Sequence, residues 1–168
     1  MIKEPRYIML KNVKIQYPKL KNSVNFRGSD QWECGIITED ADQATEWNDK
    51  FIGKVKPNDP MKPTVWTASL NRKVLTKSGE GSGRVRVVNA DKQPLTDKQL
   101  LKIGNGTLAN VILFQGPYDN EFGKGVFNSL TAIQILTLVE FEGGMDPMDF
   151  DLEGEGAVIE GASEGDLF

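Results

Sequence analysis

The sequence contains no histidine among its 168 residues and only one cysteine, Cys34. Without histidine, the chain lacks the commonest general base and neutral metal ligand, and it forms no Ser-His or Cys-His nucleophile pair. A single cysteine excludes an internal disulfide and a zinc site built from thiolates. Carboxylates and lysines are the remaining candidates for catalysis. We therefore expect a protein that binds without catalysing, with no cofactor and no metal.

Long apolar runs are also missing. No run approaches the roughly 18 residues that a membrane helix needs, and the residues from Met1 to Pro5 do not resemble a signal peptide. A chain of this length has room for one domain with one core. We expect no association with a membrane.

Basic residues are absent from the last part of the chain. Residues 1–139 hold all 20 Lys and Arg and 14 Asp and Glu, a net charge of +6, whereas residues 140–168 hold 10 Asp and Glu, a net charge of −10. The acidic part is rich in glycine and poor in hydrophobic residues, so it buries too little apolar area to offset the entropy of ordering. We expect a folded domain over residues 1–141 and a disordered acidic tail over residues 142–168.

The tail ends in Asp166, Leu167 and Phe168. One interpretation is a solubilising tail that contacts nothing. A terminal aromatic residue gives no advantage to such a tail, whereas an acidic segment ending in a ring and a carboxylate suits a basic, partly apolar pocket. We therefore predict that these three residues bind a partner.

Alternation of apolar and polar residues, turn signals between segments and, in the last strand, an almost unbroken apolar run predict about six strands. They lie at Val13–Tyr17, Gln31–Thr38, Thr64–Leu70, Arg84–Val88, Thr107–Phe114 and Val126–Phe141. Pro18 is expected to end the first strand. Short strands with glycine-rich connections and no βαβ alternation indicate a mainly β fold, a small antiparallel barrel or sandwich.

One clear helix is predicted, from about Asp40 to Ile52, with Trp47 and Phe51 on the face that packs on the core. A barrel of this size with one inserted helix favours the oligonucleotide/oligosaccharide-binding (OB) fold. Composition alone does not separate that fold from other small barrels.

Binding of single-stranded nucleic acid requires cations for the phosphates and exposed rings on which bases stack. On the fourth strand, Arg84 and Arg86 point outward if Val85 and Val87 point inward, although an ordinary solvated strand face would look the same. The candidate cations of this region are Arg72, Lys73, Lys77, Arg84 and Arg86.

A glycine-rich loop is predicted from Gly116 to Gly125. It contains Tyr118, Phe122 and Lys124, and we expect its two rings to stack on bases, the alternative being a lid over the end of the barrel. Burial in the core is the default for the aromatic residues of the strands, which are Trp32, Phe114, Phe127 and Phe141.

Three other functions remain open. One is an RNA-binding regulator on the same barrel, and another is a protein-interaction module that works through its tail. The third is a magnesium-dependent nuclease, for which no particular group of Asp and Glu residues is proposed.

Several motifs, taken in their order along the chain, resemble one known family. They are Arg84–Asp91 (RVRVVNAD), Ile103–Gly106 (IGNG), the Pro117–Tyr118 pair, Leu136–Gly144 (LTLVEFEGG) and Glu164–Phe168 (EGDLF). In these motifs the chain is similar to the single-stranded DNA-binding proteins of short-tailed bacteriophages. The similarity is clearest from Trp66 to Gly144 and at the terminus.

The resemblance implies an OB-fold core that coats single-stranded DNA during phage replication and recombination, in the cytoplasm of the infected bacterium. It also implies a homodimer, and a tail that occupies the DNA groove and recruits the phage polymerase and helicase-primase. Tyr118 matches the tyrosine of the family's loop, Phe122 lies near a second aromatic of that loop, and Phe168 matches the terminal aromatic. This tail carries fewer acids and more glycine than is usual in the family, so the resemblance extends less firmly to competition with DNA.

Overall fold

The computed structural model of the protein describes residues 2–76 and 78–141. Lys77 and the predicted tail, with Asp166, Leu167 and Phe168, lie outside the described residues. The strands are β1 (Arg6–Phe26), β2 (Ser29–Thr38), β3 (Lys56–Pro57), β4 (Trp66–Lys73), β5 (Arg86–Val88), β6 (Thr107–Asn120) and β7 (Gly123–Thr137). The helices are α1 (Ala41–Asp49) and α2 (Asp97–Leu100).

All seven strands belong to one sheet, in the order β3-β4-β2-β1-β6-β7-β5. Every neighbouring pair is antiparallel except β5 and β7, which are parallel. The sheet curls until β4 approaches β7, where Arg72 donates a hydrogen bond to the Ser129 hydroxyl at 3.3 Å. The mainly β fold is confirmed. The strand order favours the OB interpretation, which remains a prediction.

The core lies inside the curled sheet and is supplied by alternate residues of each strand. On β6, Ala109, Val111 and Leu113 are fully buried, and Leu10 of β1 packs in the same cluster. Fully burying an aliphatic side chain of this size stabilises a fold by about 1.5–3 kcal/mol. Because alternate residues of a strand point to opposite faces, the inward set also determines which residues of β6 point outward.

The first strand does not end at Pro18, as the sequence predicts, but continues to Phe26. The register of β1 against β2 shifts between Gln16 and Lys19, and Tyr17 has a φ of 47°. A proline at such an irregularity removes no hydrogen bond from the ladder, so the strand passes through it. The backbone N–H of Tyr17 donates instead to the side chain of Asn105, at 2.7 Å.

Helix α1 begins where the sequence predicts, with Asp40 as its N-cap accepting a hydrogen bond from the Asp42 N–H at 2.9 Å. Trp47 is buried and fixes the helix to the core, as predicted. The prediction for Phe51 is wrong, because the helix ends at Asp49 and Phe51 has a φ of 61°. Its ring therefore lies off the helix face and is exposed.

Cys34 is buried on the inward face of β2, and burial raises the pKa of its thiol to about 12. We expect Ellman's reagent to leave the folded protein unlabelled at pH 8 and to label it fully in urea. Above the ordinary thiol pKa of 9.0 the unfolded chain releases this proton while the folded chain keeps it. Between pH 9.0 and about 12, the free energy of unfolding should therefore fall by about 1.4 kcal/mol per pH unit because of Cys34.

Cys34→Ala is the control, since it should remove that part of the pH dependence. Rapid labelling of the native protein would contradict the buried position.

Candidate nucleic-acid interface

The outward side of the β1-β6-β7 region carries a group of aromatic side chains. Tyr7 lies on β1, Phe114 and Tyr118 on β6, and Phe127 on β7, and all four point away from the core. We call these four residues the aromatic face. On β6, Phe114 and Tyr118 belong to the set of positions that alternates with the buried Val111, Leu113 and Gln115.

The rings of the aromatic face adjoin one another across the strands. The centroids of Tyr7 and Phe114 are 5.1 Å apart and those of Phe114 and Phe127 are 6.0 Å apart, in tilted arrangements. Tyr7 is 67% exposed, Tyr118 44% and Phe127 43%. Contiguous exposed apolar surface on a folded domain marks a binding site more often than an isolated exposed ring does.

Two glycines hold the rings against the sheet. Phe127 lies opposite Gly116, and Tyr118 lies opposite Gly125. A Cβ atom at Gly116 would come within 2.5 Å of the Phe127 ring, and one at Gly125 would come within 2.5 Å of the Tyr118 hydroxyl oxygen. Each ring therefore covers the backbone of a glycine on the neighbouring strand. The rings are positioned without being buried.

The segment from Gly116 to Gly125 is not the loop that the sequence predicts. β6 continues to Asn120, β7 starts at Gly123, and only Glu121 and Phe122 form the turn. The glycines therefore lie in paired strands.

The default burial of the strand aromatics is wrong for two residues, Phe127 and Phe141, which are exposed, and Phe114 is half-buried. Trp32 is buried as predicted. The overlooked signal is an alternation of rings and glycine on one side of two strands. Gly116 lies between Phe114 and Tyr118 on β6, and Gly125 lies two residues from Phe127 on β7. In the hairpin, each glycine pairs with a ring of the other strand.

The tip of the hairpin carries Phe122, which is 90% exposed and so does not form a lid on the barrel. Lys124 lies 3.9 Å from Asp119 in an exposed ion pair, a geometry that contributes little to stability. Since Lys124 precedes Gly125 on the strand, its side chain points to the opposite side of the hairpin from the Tyr118 ring.

Two of the predicted arginines hold the structure together. Arg72 donates to the carbonyl groups of Ser82 and Gly83, as well as to Ser129. Because Ser129 is in register with Phe114, these bonds place the Arg72 guanidinium at the edge of the aromatic face.

Arg84 is used in a similar way away from this face. It forms an ion pair with Asp97 at 3.4 Å and donates to the carbonyl groups of Leu20 and Lys21 at 3.2 and 3.1 Å. Exposed Lys73 approaches the Ser29 hydroxyl at 3.5 Å, at the far end of β4.

Arg86 differs from both. Its side chain is exposed, as predicted, while Val85 and Val87 are buried. Within the described residues it makes no side-chain hydrogen bond or ion pair. Arg86 is in register with Ala132, which is in register with Ile112 on the outward side of β6. Arg86 therefore extends the side of the sheet that carries the aromatic face.

Over residues 2–76 and 78–141, no group of three or more Asp, Glu and Cys side chains has an arrangement that would hold a metal ion. No helix in this part of the chain is long and apolar enough to cross a membrane.

Solved structures of phage single-stranded DNA-binding proteins share this fold. The protein of bacteriophage Enc34, solved in complex with ssDNA, superposes with a TM-score of 0.60 at 16% identity, over 82% of this chain and 89% of that one. Gp2.5, a single-stranded DNA-binding protein encoded by bacteriophage T7, superposes with a TM-score of 0.58 at 15% identity, over 93% of this chain and 100% of that one.

At these identities the likeness shows the fold. No family model and no curated protein matches the chain.

The position of the rings over the glycines has a direct NMR signature. We expect the Hα resonances of Gly116 and Gly125 to be shifted upfield by ring currents, while those of Gly53, which has no neighbour near its Cβ position, should appear at ordinary values. Phe127→Leu should remove the shift at Gly116 alone, and Tyr118→Leu the shift at Gly125 alone. Ordinary shifts at both glycines in the unaltered protein would contradict the geometry.

Proposed function

We propose that the protein binds single-stranded DNA without sequence preference and acts in phage DNA replication without catalysing a reaction. The observation that carries the proposal is the aromatic face, whose rings are exposed, adjacent and fixed. Stacking of a base on an aromatic side chain contributes about 1–3 kcal/mol and tolerates any base, because every base has a π-face. The solved relatives are named for single-stranded DNA binding, and one of them is in complex with ssDNA.

The outward faces of β2 and β4 offer fewer contacts of this kind. Their outward residues include Glu33, Ile37, Thr67 and Ser69, and no aromatic ring stands among the positions paired there. Bases therefore find their stacking partners on the aromatic face, with Phe122 at the tip of the hairpin as a further ring.

Phosphates require cations close to those rings. Arg86 is the first candidate because its guanidinium has no protein partner within the described residues, and Arg72 lies at the edge of the aromatic face with part of its donor capacity used. The remaining proposed phosphate contacts within the described residues are Lys73, Arg84 and Lys124, which lie away from the aromatic face or point away from it. Lys77, which lies outside the described residues, also stays a proposed contact.

Titration with oligo-dT tests the proposal. Tyr118→Ala and Phe127→Ala should each weaken binding by about 1–3 kcal/mol, since each removes one stacking ring. Log K should fall with log salt at a slope of about −3 to −4, because four to six phosphate contacts contribute about −0.7 each. Tyr17→Ala is the matched control, as this ring is exposed in a separate groove with Leu101 and Phe141.

Unchanged affinity in both ring variants would remove the aromatic face from the proposal, and a flat salt response would remove the phosphate contacts. The same titration with oligo-U of equal length separates a DNA-binding protein from an RNA-binding regulator.

The tail completes the proposed function. With a net charge of −10 against +6 for the rest of the chain, it would compete with DNA for the cationic surface, and its end at Asp166, Leu167 and Phe168 would recruit the phage polymerase and helicase-primase. The protein would act as a homodimer in the cytoplasm of the infected bacterium. These roles follow from the charge division and from the family resemblance.

Deletion of residues 145–168 should tighten binding to oligo-dT, most strongly at low salt, because it removes the competing charge. Affinities of the full and shortened proteins, measured at two salt concentrations, check this. Weaker binding by the shortened protein would contradict the competitor role.

A further inference from the structure

A cavity of about 250 Å³ opens beside the aromatic face, at the end where Arg86 lies. Its apolar lining comes from Met9, Ile112, Ala132 and Val88, and its cationic lining from Arg86 and Lys92. We call it the β5 pocket. Of its lining residues, only Arg86 has a part in the proposed function.

The strand register makes the β5 pocket continuous with the aromatic face. Met9 of β1 pairs with Ile112 of β6, Ile112 with Ala132 of β7, and Ala132 with Arg86 of β5. This row adjoins the Tyr7–Phe114 row and lies two residues earlier along β6. At about 3.4 Å per residue the two rows are about 7 Å apart.

Two amide side chains form a rigid wall of the pocket. Asn110 donates to the Gln134 side-chain oxygen at 3.1 Å and accepts from the backbone N–H of Asn12 at 3.1 Å. Gln134 donates to the carbonyl group of Ala90 at 3.0 Å. Because these bonds fix both amides, the pocket keeps its shape without a ligand and requires little ordering when one binds.

The charges of the pocket select its ligand. Arg86 and Lys92 form no ion pair within the described residues, and no acidic side chain is part of the lining. An apolar floor beneath two cations suits a ligand with a flat apolar part and an anionic part. A nucleotide combines a base with a phosphate in this way.

We propose that the β5 pocket receives one nucleotide of the bound strand, the next after those that stack on the aromatic face. Its base lies on Met9, Ile112 and Ala132, and its phosphate contacts Arg86 and Lys92. The inference rests on the proposed function and adds the end point of the DNA path to it. The strand then runs along the outward side of β6 from Tyr118 towards Asn110.

A length series of oligo-dT from four to twelve nucleotides tests the pocket. Affinity should rise with length until the path is filled. Ala132→Trp fills the pocket, so its affinity should reach a plateau about one nucleotide earlier. For long oligomers it should bind about 5-fold to 150-fold more weakly, the equivalent of one lost stacking contact.

Arg86→Ala is a second variant, at an exposed position where misfolding is not expected. It should reduce the salt slope by about 0.7 for oligomers long enough to reach the pocket. The matched controls are Ala41→Trp and Lys54→Ala, which alter exposed residues outside the pocket and should leave the length dependence unchanged.

The outcomes separate the two proposals. If the unaltered protein binds oligo-dT and both pocket variants keep its length dependence and salt slope, the β5 pocket is excluded and the DNA-binding function stands. If the unaltered protein binds no oligomer of any length, the DNA-binding function itself is excluded, and the pocket assignment with it.

Discussion

The register of β6 is the constraint on which the rest of the molecule depends. This strand lies between β1 and β7, and its inward residues Ala109, Val111 and Leu113 are fully buried in the core. Since alternate residues of a strand point to opposite sides, burial of these three requires Phe114 and Tyr118 to face outward. A slip of one residue would bury the rings and expose the aliphatic side chains, which the hydrophobic effect disfavours strongly.

An exposed ring is useful for binding only if its position is defined. Two glycines fix the positions of the rings. Gly116 and Gly125 have no side chain, so the rings of Phe127 and Tyr118 can lie on the backbone of the neighbouring strand. Cross-strand pairs of this kind contribute roughly 0.2–1 kcal/mol to a sheet. Their ordering cost is met during folding, so it does not reduce the affinity for a ligand.

The arginines have two roles, which depend on whether loop carbonyl groups lie within reach of the guanidinium group. A guanidinium group carries five N–H donors in a fixed plane, which allows Arg72 and Arg84 to join loop carbonyl groups to the strands. Arg86, on a three-residue strand at the edge of the sheet, has no loop carbonyl group as a partner within the described residues. Its charge is therefore available at the surface next to the aromatic face.

Local sequence patterns alone predict the β-rich fold, the buried Val85 and Val87 with outward Arg86, and the N-cap of α1 at Asp40, because each depends on neighbours within a few residues. They do not predict the exposure of Phe127 or the hairpin from Gly116 to Gly125. An aromatic residue in a strand fits either side of a sheet equally well. Its side is decided by the partner strands, which place either a glycine or core side chains opposite the ring. Pairing between distant strands supplies that information, and so only the tertiary structure brings Tyr7, Phe114, Phe127 and Tyr118 together.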